Sequence, residues 1–177
     1  MMEILAISGS LRSRSSNTEL LLAAKRLAPP QMHIELYGGL DRLPHFNPDI
    51  EASEPAPVMD LKRRVSRAAG LMISTPEYAR GVPGSLKNAL DWLVSGPEFV
   101  DKPVVLLSAS QRSTYAYEAM KTTITTMSGN FVTDASITLP LLGRNLDAAG
   151  IAADPEIARI LVAALETFER AIARARA

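Results

Sequence analysis

Cysteine is absent from the 177 residues. That removes disulfides, thiolate metal sites and a cysteine nucleophile, and it leaves the redox character of the compartment open. Histidine is scarce, with His33 in a strand pattern and His45 in a long loop, and neither has a second histidine or carboxylate at ligand spacing. No metal site is expected. Net charge is also missing: Lys plus Arg and Asp plus Glu stand at 19 each, so no global field draws the chain to nucleic acid or to a membrane surface. No apolar run approaches the roughly eighteen residues a span requires. The beginning, "MMEILAISGS", lacks a basic stretch followed by a long apolar one, so the expectation is a cytoplasmic protein. What is present is apolar material, 47% of residues, enough for one domain over residues 1–177 with a sizeable core.

Short apolar runs alternate with longer helical patterns. "EILAIS" (Glu3 to Ser8), "MHIELY" (Met32 to Tyr37), "GLMIST" (Gly70 to Thr75), "PVVLLSA" (Pro103 to Ala109) and "DASITL" (Asp134 to Leu139) read as strands. The first, third and fourth are nearly continuous in apolar residues, as in strands covered on both faces. Helical patterns fill the intervals at about Asn17 to Ala28, Pro57 to Ala68, Ser85 to Val94 and Thr114 to Met127, with a last one from Pro155 to about Arg174. The βα alternation predicts an α/β fold, a parallel sheet with helices on both faces. One long segment, "GGLDRLPHFNPDIEASEPAPVMD", reads as irregular, and a loop of that length is usually functional or mobile.

Helix ends carry their own signals. Ser16 and Glu19 fit a capping box, and Pro29-Pro30 stops that helix just after Lys25 and Arg26. Asp154-Pro155 opens the last helix, whose Ile157, Ile160, Leu161, Ala164, Leu165 and Phe168 form one apolar stripe. Lys87 and Asp91, four apart, read as an ordinary surface pair.

In an open parallel sheet, ligands bind beyond the carboxyl ends of the strands. Three predicted strands end there in small polar residues: Ser8-Gly9-Ser10, Ser74-Thr75 and Ser108-Ala109-Ser110. The first continues as "SGSLRSRSSN" into a helix, combining hydroxyls, backbone N–H groups, a helix N-terminus and Arg12. That is the equipment for a phosphate group. The spacing matches neither GxGxxG nor GxxxxGK[ST], so a Rossmann dehydrogenase and a P-loop NTPase are both unsupported. No acidic residues end the first strand as a receiver domain would want. Any single serine before a helix can be a plain cap, and Arg14 reads as solvated surface; Arg12 together with Ser10 and Asn17 is the informative set. A second stretch, "STPEYARGVPGSLKNALDWLV", leaves the third strand through a stiff turn beside the first loop. A planar ring could lie against its backbone, with Tyr78 as an apolar wall.

The motifs "GSLRSRSSN" and "PEYARGVPGSLKNALDW", with "LPHFNPDIE" and "SAS" in the same order, resemble the NADPH-dependent FMN reductase family. The likeness runs from Ile4 to the fifth strand. It implies a flavodoxin-like three-layer sandwich, a five-stranded parallel sheet in the order 2-1-3-4-5. By position, Ser10, Arg12, Ser16 and Asn17 would hold the FMN phosphate, with Ser15 a neighbour. Pro76, Glu77, Tyr78 and Ala79 would line the isoalloxazine, with Arg80 and Gly81 beside them, and Ser108 and Ser110 would approach from the fourth strand. Two departures stand out: Ala79 replaces a common asparagine, and after "SAS" this chain reads "QRSTYAYEAMKTT" where the family is glycine-rich. Arg112, Tyr115 or Tyr117 is therefore expected to shape the acceptor or nicotinamide pocket over the ring.

The resemblance also implies a mechanism with no catalytic side chain. FMN would take hydride from NADPH or NADH and pass electrons by a ping-pong sequence to a small acceptor, a flavin, quinone, azo compound or metal oxyanion. A homodimer or homotetramer is implied, using Leu86, Leu90, Trp92 and Leu93 of the helix after the ring loop as a symmetric face. Two other readings remain open: a flavodoxin-type electron carrier, disfavoured by the zero net charge, and a non-enzymatic FMN-binding protein.

Overall fold

The computed structural model describes residues 1–53 and 55–176; Glu54, in the long irregular segment, and Ala177 lie outside the described residues. The chain runs β1 (Met2–Ser8), α1 (Ser16–Leu27), β2 (Met32–Leu36), a 3-10 turn (Leu40–Arg42), α2 (Pro48–Glu51), α3 (Ala56–Arg67) and β3 (Gly70–Ser74). It continues through α4 (Gly84–Asp91), β4 (Pro103–Ser108), α5 (Thr114–Thr126), β5 (Asn130–Phe131), β6 (Ile137–Thr138), α6 (Ala148–Ala153) and α7 (Pro155–Ala175). The strands lie in the order β2-β1-β3-β4-β5 with β6 also on β4, every pairing parallel. This is the flavodoxin-like order.

Strand alternation divides the core in two. Ile4, Ala6, Met72, Val105 and Leu107 face α1 and α7, where Leu20, Leu161, Leu165 and Phe168 close over them. Leu5, Ile7, Leu71, Ile73 and Leu106 face the other way, toward Leu61, Leu86, Leu90, Met120 and Ile124 of α3, α4 and α5. Successive residues of a strand point to opposite faces, so helices on both sides bury all of them. The register Ser8 with Ser74 brings the ends of β1 and β3 level, and that fixes where the loops meet.

Several boundaries differ from the sequence reading, each for a physical reason. The fifth position is two short strands rather than one from Asp134 to Leu139. Between them a 3-10 turn (Thr133–Ala135) interrupts the ladder, and the Ser136 hydroxyl substitutes for it, accepting from Leu106 N at 3.1 Å and donating to Val132 O at 2.9 Å. The capping box is absent. Ser15 is the N-cap of α1 and makes no side-chain cap bond, while Glu19 accepts from Ala148 N at 2.7 Å and so anchors α6. Helix α4 ends at Asp91, because Leu93 N turns back to Leu90 O at 3.0 Å.

The long segment after β2 is tied down. Asn88 of α4 accepts from Phe46 N at 2.7 Å and donates to Pro44 O at 2.9 Å, and Trp92 Nε1 donates to the same carbonyl at 2.8 Å. Phe46 stands edge-on to the Trp92 ring with centroids 5.1 Å apart. This contradicts the symmetric face expected on α4: Leu86, Leu90, Trp92 and Leu93 are all buried within the chain itself. They pack on the sheet and under this segment.

At the last helix the expectation holds. Asp154 accepts from Glu156 N and Ile157 N, both at 3.1 Å, and Arg144 donates to its other oxygen at 2.7 Å. Those bonds, that from Ile157 foremost, hold the Asp154 carboxyl below its usual range.

Candidate functional site

The ends of β1, β3 and β4 gather an unusual amount of buried polarity. Ser8, Ser10, Ser15, Asn17, Ser74, Thr75 and Ser108 are all buried, although such residues usually stay in water. At the start of the first loop Gly9 donates to Ser74 O at 2.8 Å. A Cβ on Gly9 would sit 2.4 Å from Thr75 Oγ1, so only glycine allows this approach. The loop then folds on its own hydroxyls: Ser8 Oγ accepts from Ser10 N at 3.4 Å, and Ser10 Oγ accepts from Arg12 N at 3.3 Å. The first turn of α1 has no side-chain cap, which leaves its N–H groups open at the positive end of the helix. Arg12 and Arg14 are exposed, and among the described residues neither pairs with a carboxylate.

Two ties hold that helix end to the sheet. Ser8 Oγ and Thr18 Oγ1 share a hydrogen bond of 2.8 Å, and Ser74 Oγ donates to Asn17 Oδ1 at 2.9 Å. Neither Ser74 nor Thr18 stands out in the sequence as a site residue. Ser74 is legible as a polar strand end, but nothing local pairs it with a residue on α1.

The second loop contains a tight turn. Tyr78 N donates to Gly81 O at 3.0 Å and Gly81 N to Tyr78 O at 2.9 Å, with Ala79 at φ 50° and Arg80 at φ 60° between them. Both central residues are left-handed, as in the mirror-image hairpin turns that favour Asn-Gly. For side chains such as these the conformation costs about 1–2 kcal/mol per residue. Ala79 and Arg80 thus form a strained turn. The N–H groups of Ala79 and Arg80 have no protein acceptor among the described residues.

Contacts with α5 hold this turn. Glu77 accepts from Ala116 N, in the first turn of α5, at 3.0 Å, so its carboxylate caps that helix. The Arg80 guanidinium lies over the Tyr115 ring, 5.0 Å from its centroid. Pro76 is half-buried, whereas Tyr78 is 51% exposed and Tyr115 52% exposed, so both rings stand at the rim. From β4, Ser108 donates to Ser110 O at 3.0 Å, and Ser110 Oγ accepts from Arg112 N at 3.1 Å. Tyr117 is half-buried and edge-on to Phe131 at 6.4 Å, and burial pushes its hydroxyl up, against the lowering effect of a hydrogen bond with Ser136. With Thr75, Ser108 and Ser113 it lines a small cleft at the strand ends.

Residues 2–140 match the model of the NADPH-dependent FMN reductase family. The chain belongs to that family. It is 43% identical over 111 residues to an NAD(P)H-dependent FMN reductase of Pseudomonas aeruginosa, covering 61% of this chain and 60% of that one. It is 34% identical over 113 residues to a quinone reductase of Escherichia coli, covering 62% and 60%. The chain thus spans about 60% of the length of the curated relatives it matches. Among solved structures, the flavoenzyme NAD(P)H:(acceptor) oxidoreductase FerB of Paracoccus denitrificans superposes with a TM-score of 0.88 at 25% identity over 98% of both chains.

Of the positions that the FMN reductase motifs single out, the fold brings Ser10, Arg12, Ser15, Ser16 and Asn17 into one loop and helix start. That loop sits against the end of β3, with Pro76 to Gly81 directly downstream and Ser108 and Ser110 one strand further. Glu77 differs from the rest, since its carboxylate is turned onto α5. A roomier cavity of about 280 Å³ lies away from these loops, against the start of β1. Its arginines pair with acids, Arg64 with Asp60 and Glu35, and Arg67 with Glu3.

Proposed function

We propose that this chain is an FMN-dependent NAD(P)H oxidoreductase that reduces a small acceptor. The observation that carries the reading is the buried hydroxyl and amide cluster beside an uncapped helix end, with Arg12 exposed in the same loop and without an ion pair among the described residues. Those residues fit a phosphate monoester: hydroxyls, open N–H groups at a positive helix end and an exposed arginine belong to one loop, and Gly9 lets that loop lie close against Thr75 at the end of β3. Ser10, Arg12, Ser15, Ser16 and Asn17 would hold the phosphate. Pro76 to Gly81 would carry the ring, with Ser108 and Ser110 beside it. FMN, when bound, supplies hydride and electron transfer between NADPH or NADH and a quinone, flavin, azo compound or metal oxyanion.

The chain's own part is positioning and electrostatics. Free N–H groups of Ala79 and Arg80 supply backbone donors that do not need to reorganise, because the strained turn is already formed. No acid–base side chain is required. Soluble cytoplasmic operation belongs to the same reading, and among the described residues no helix is long and apolar enough to cross a membrane. A homodimer or homotetramer also goes with it, and its contacts are to be sought at exposed Leu11, Tyr78, Tyr115 and Leu142, since the apolar face of α4 is occupied.

The visible spectrum of the purified protein, followed on anaerobic addition of NADPH, tests the reading. Bleaching of bound FMN supports it. A chain that takes up no FMN rejects it, and FMN that both NADPH and NADH leave oxidised points to the non-enzymatic or electron-carrier reading. If one site serves donor and acceptor in turn, double-reciprocal plots for NAD(P)H and a quinone should be parallel. Intersecting lines would show a ternary complex and remove the shared site.

The segment after Ser110 should set acceptor or nicotinamide preference, because Arg112 and Tyr115 are exposed at the rim and Arg80 sits on Tyr115. Arg112→Ala and Tyr115→Ala should each raise a Michaelis constant severalfold. Unchanged constants for both substrates in both variants would make the segment structural.

A further inference from the structure

The Asn17 amide is held by a hydroxyl that lies on another element and donates to its oxygen. Ser74, the last residue of β3, is 1% exposed and donates its hydroxyl proton to Asn17 Oδ1 at 2.9 Å. A side-chain amide accepts at one end and donates at the other. With Oδ1 engaged, Nδ2 is the end left for a ligand, and it donates to no protein group among the described residues. A serine hydroxyl can donate to Oδ1 or accept from Nδ2; a phosphate in the first loop, which accepts, matches the arrangement seen here, with Ser74 donating to Oδ1 and Nδ2 left to donate to the ligand.

We propose that Ser74 is a positioning residue for anion recognition: it holds Asn17 with its amide hydrogens available to the phosphate of the cofactor. The inference rests on the FMN reading above. Its geometry is independent of that reading. Ser74 grips both sides of the loop, accepting from Gly9 N through its carbonyl at 2.8 Å and donating to Asn17 through its hydroxyl. The position of α1 does not depend on the hydroxyl, because the Ser8–Thr18 bond and the buried Leu20, Leu21 and Ala24 hold the helix. Removing the hydroxyl therefore releases the orientation of one amide and leaves the fold of the loop.

The test is a double-mutant cycle on apo-protein, comparing wild type, Ser74→Ala, Asn17→Ala and the double variant. Each is titrated with FMN and with riboflavin, which lacks the phosphate, and the ratio of the two dissociation constants is read. Ser74→Ala should lower the preference for FMN by about three- to tenfold, the effect of one ordinary hydrogen bond, with riboflavin affinity unchanged. In the Asn17→Ala background the same change should move the ratio by less than about twofold, because the residue it acts through is gone. Should Ser74→Ala fail to fold, Ser74→Cys places a weaker donor in a similar volume and should give a smaller loss in the same direction. The inference is overturned if the single variant keeps the wild-type ratio, or if the two effects multiply in the double variant. A wild-type chain that binds FMN no better than riboflavin overturns it together with the phosphate site. A normal preference that ignores Ser74 overturns this inference alone.

Discussion

Trp92→Ala should lower the free energy of unfolding by about 3–5 kcal/mol, the range for deleting a fully buried large aromatic ring. The ring is 0% exposed, packs edge-on against Phe46, and donates from Nε1 to Pro44 O at 2.8 Å. Pro44 O keeps a second donor in Asn88 Nδ2, so the loss is chiefly one of packing and of the volume left empty. Urea denaturation followed by far-ultraviolet circular dichroism measures it. The variant also decides between two readings of α4. A tryptophan in a subunit interface would, on removal, change sedimentation with protein concentration while leaving the isolated chain about as stable. A core tryptophan lowers stability at every concentration. A loss below about 1 kcal/mol with dissociation on dilution would return Leu86, Leu90, Trp92 and Leu93 to an interface.

Arg12→Ala should weaken FMN binding about ten- to a hundredfold while leaving riboflavin binding nearly unchanged. A charge-assisted hydrogen bond to phosphate contributes roughly 1.5–3 kcal/mol, and about 1.4 kcal/mol is tenfold in affinity. Apo-protein stability should stay within about 0.5 kcal/mol, since Arg12 is exposed and without an ion pair among the described residues. The loss should shrink as ionic strength rises, because an exposed cation is screened. If riboflavin affinity fell in parallel, Arg12 would be shaping the loop or the ring pocket, and the phosphate assignment would fail. The contrast with Ser74→Ala is informative: one variant deletes a charge at the ligand, the other frees the amide that meets it.

The sequence carried the sheet and its approximate elements because periodicity is local. Continuous apolar runs at Ile4 to Ile7, Leu71 to Ile73 and Val104 to Leu107 require cover on both faces, and that already implies βα crossovers. Asp154-Pro155 announced α7, as its cap requires only residues within one turn. The loop Ser8 to Asn17 could be read as an anion site for the same reason: its hydroxyls, arginine and helix start are neighbours in the chain.

What local pattern could not supply were partners distant in sequence. Ser16 and Glu19 satisfy the capping-box spacing, yet Glu19 found Ala148 N, 129 residues away, and the box did not form. A single strand at Asp134 to Leu139 satisfied alternation, but the Ser136 hydroxyl replaced a ladder bond and split it. Leu86, Leu90, Trp92 and Leu93 were apolar enough for an interface. Only the folded chain shows them occupied, by a sheet face and by a segment whose ties to Asn88 and Trp92 span more than forty residues. At the site the division is the same. The sequence by itself determined which chemical groups line the strand ends; the tertiary structure decided their orientation, because Asn17 meets Ser74 and Glu77 meets Ala116 only when separate βα units pack side by side.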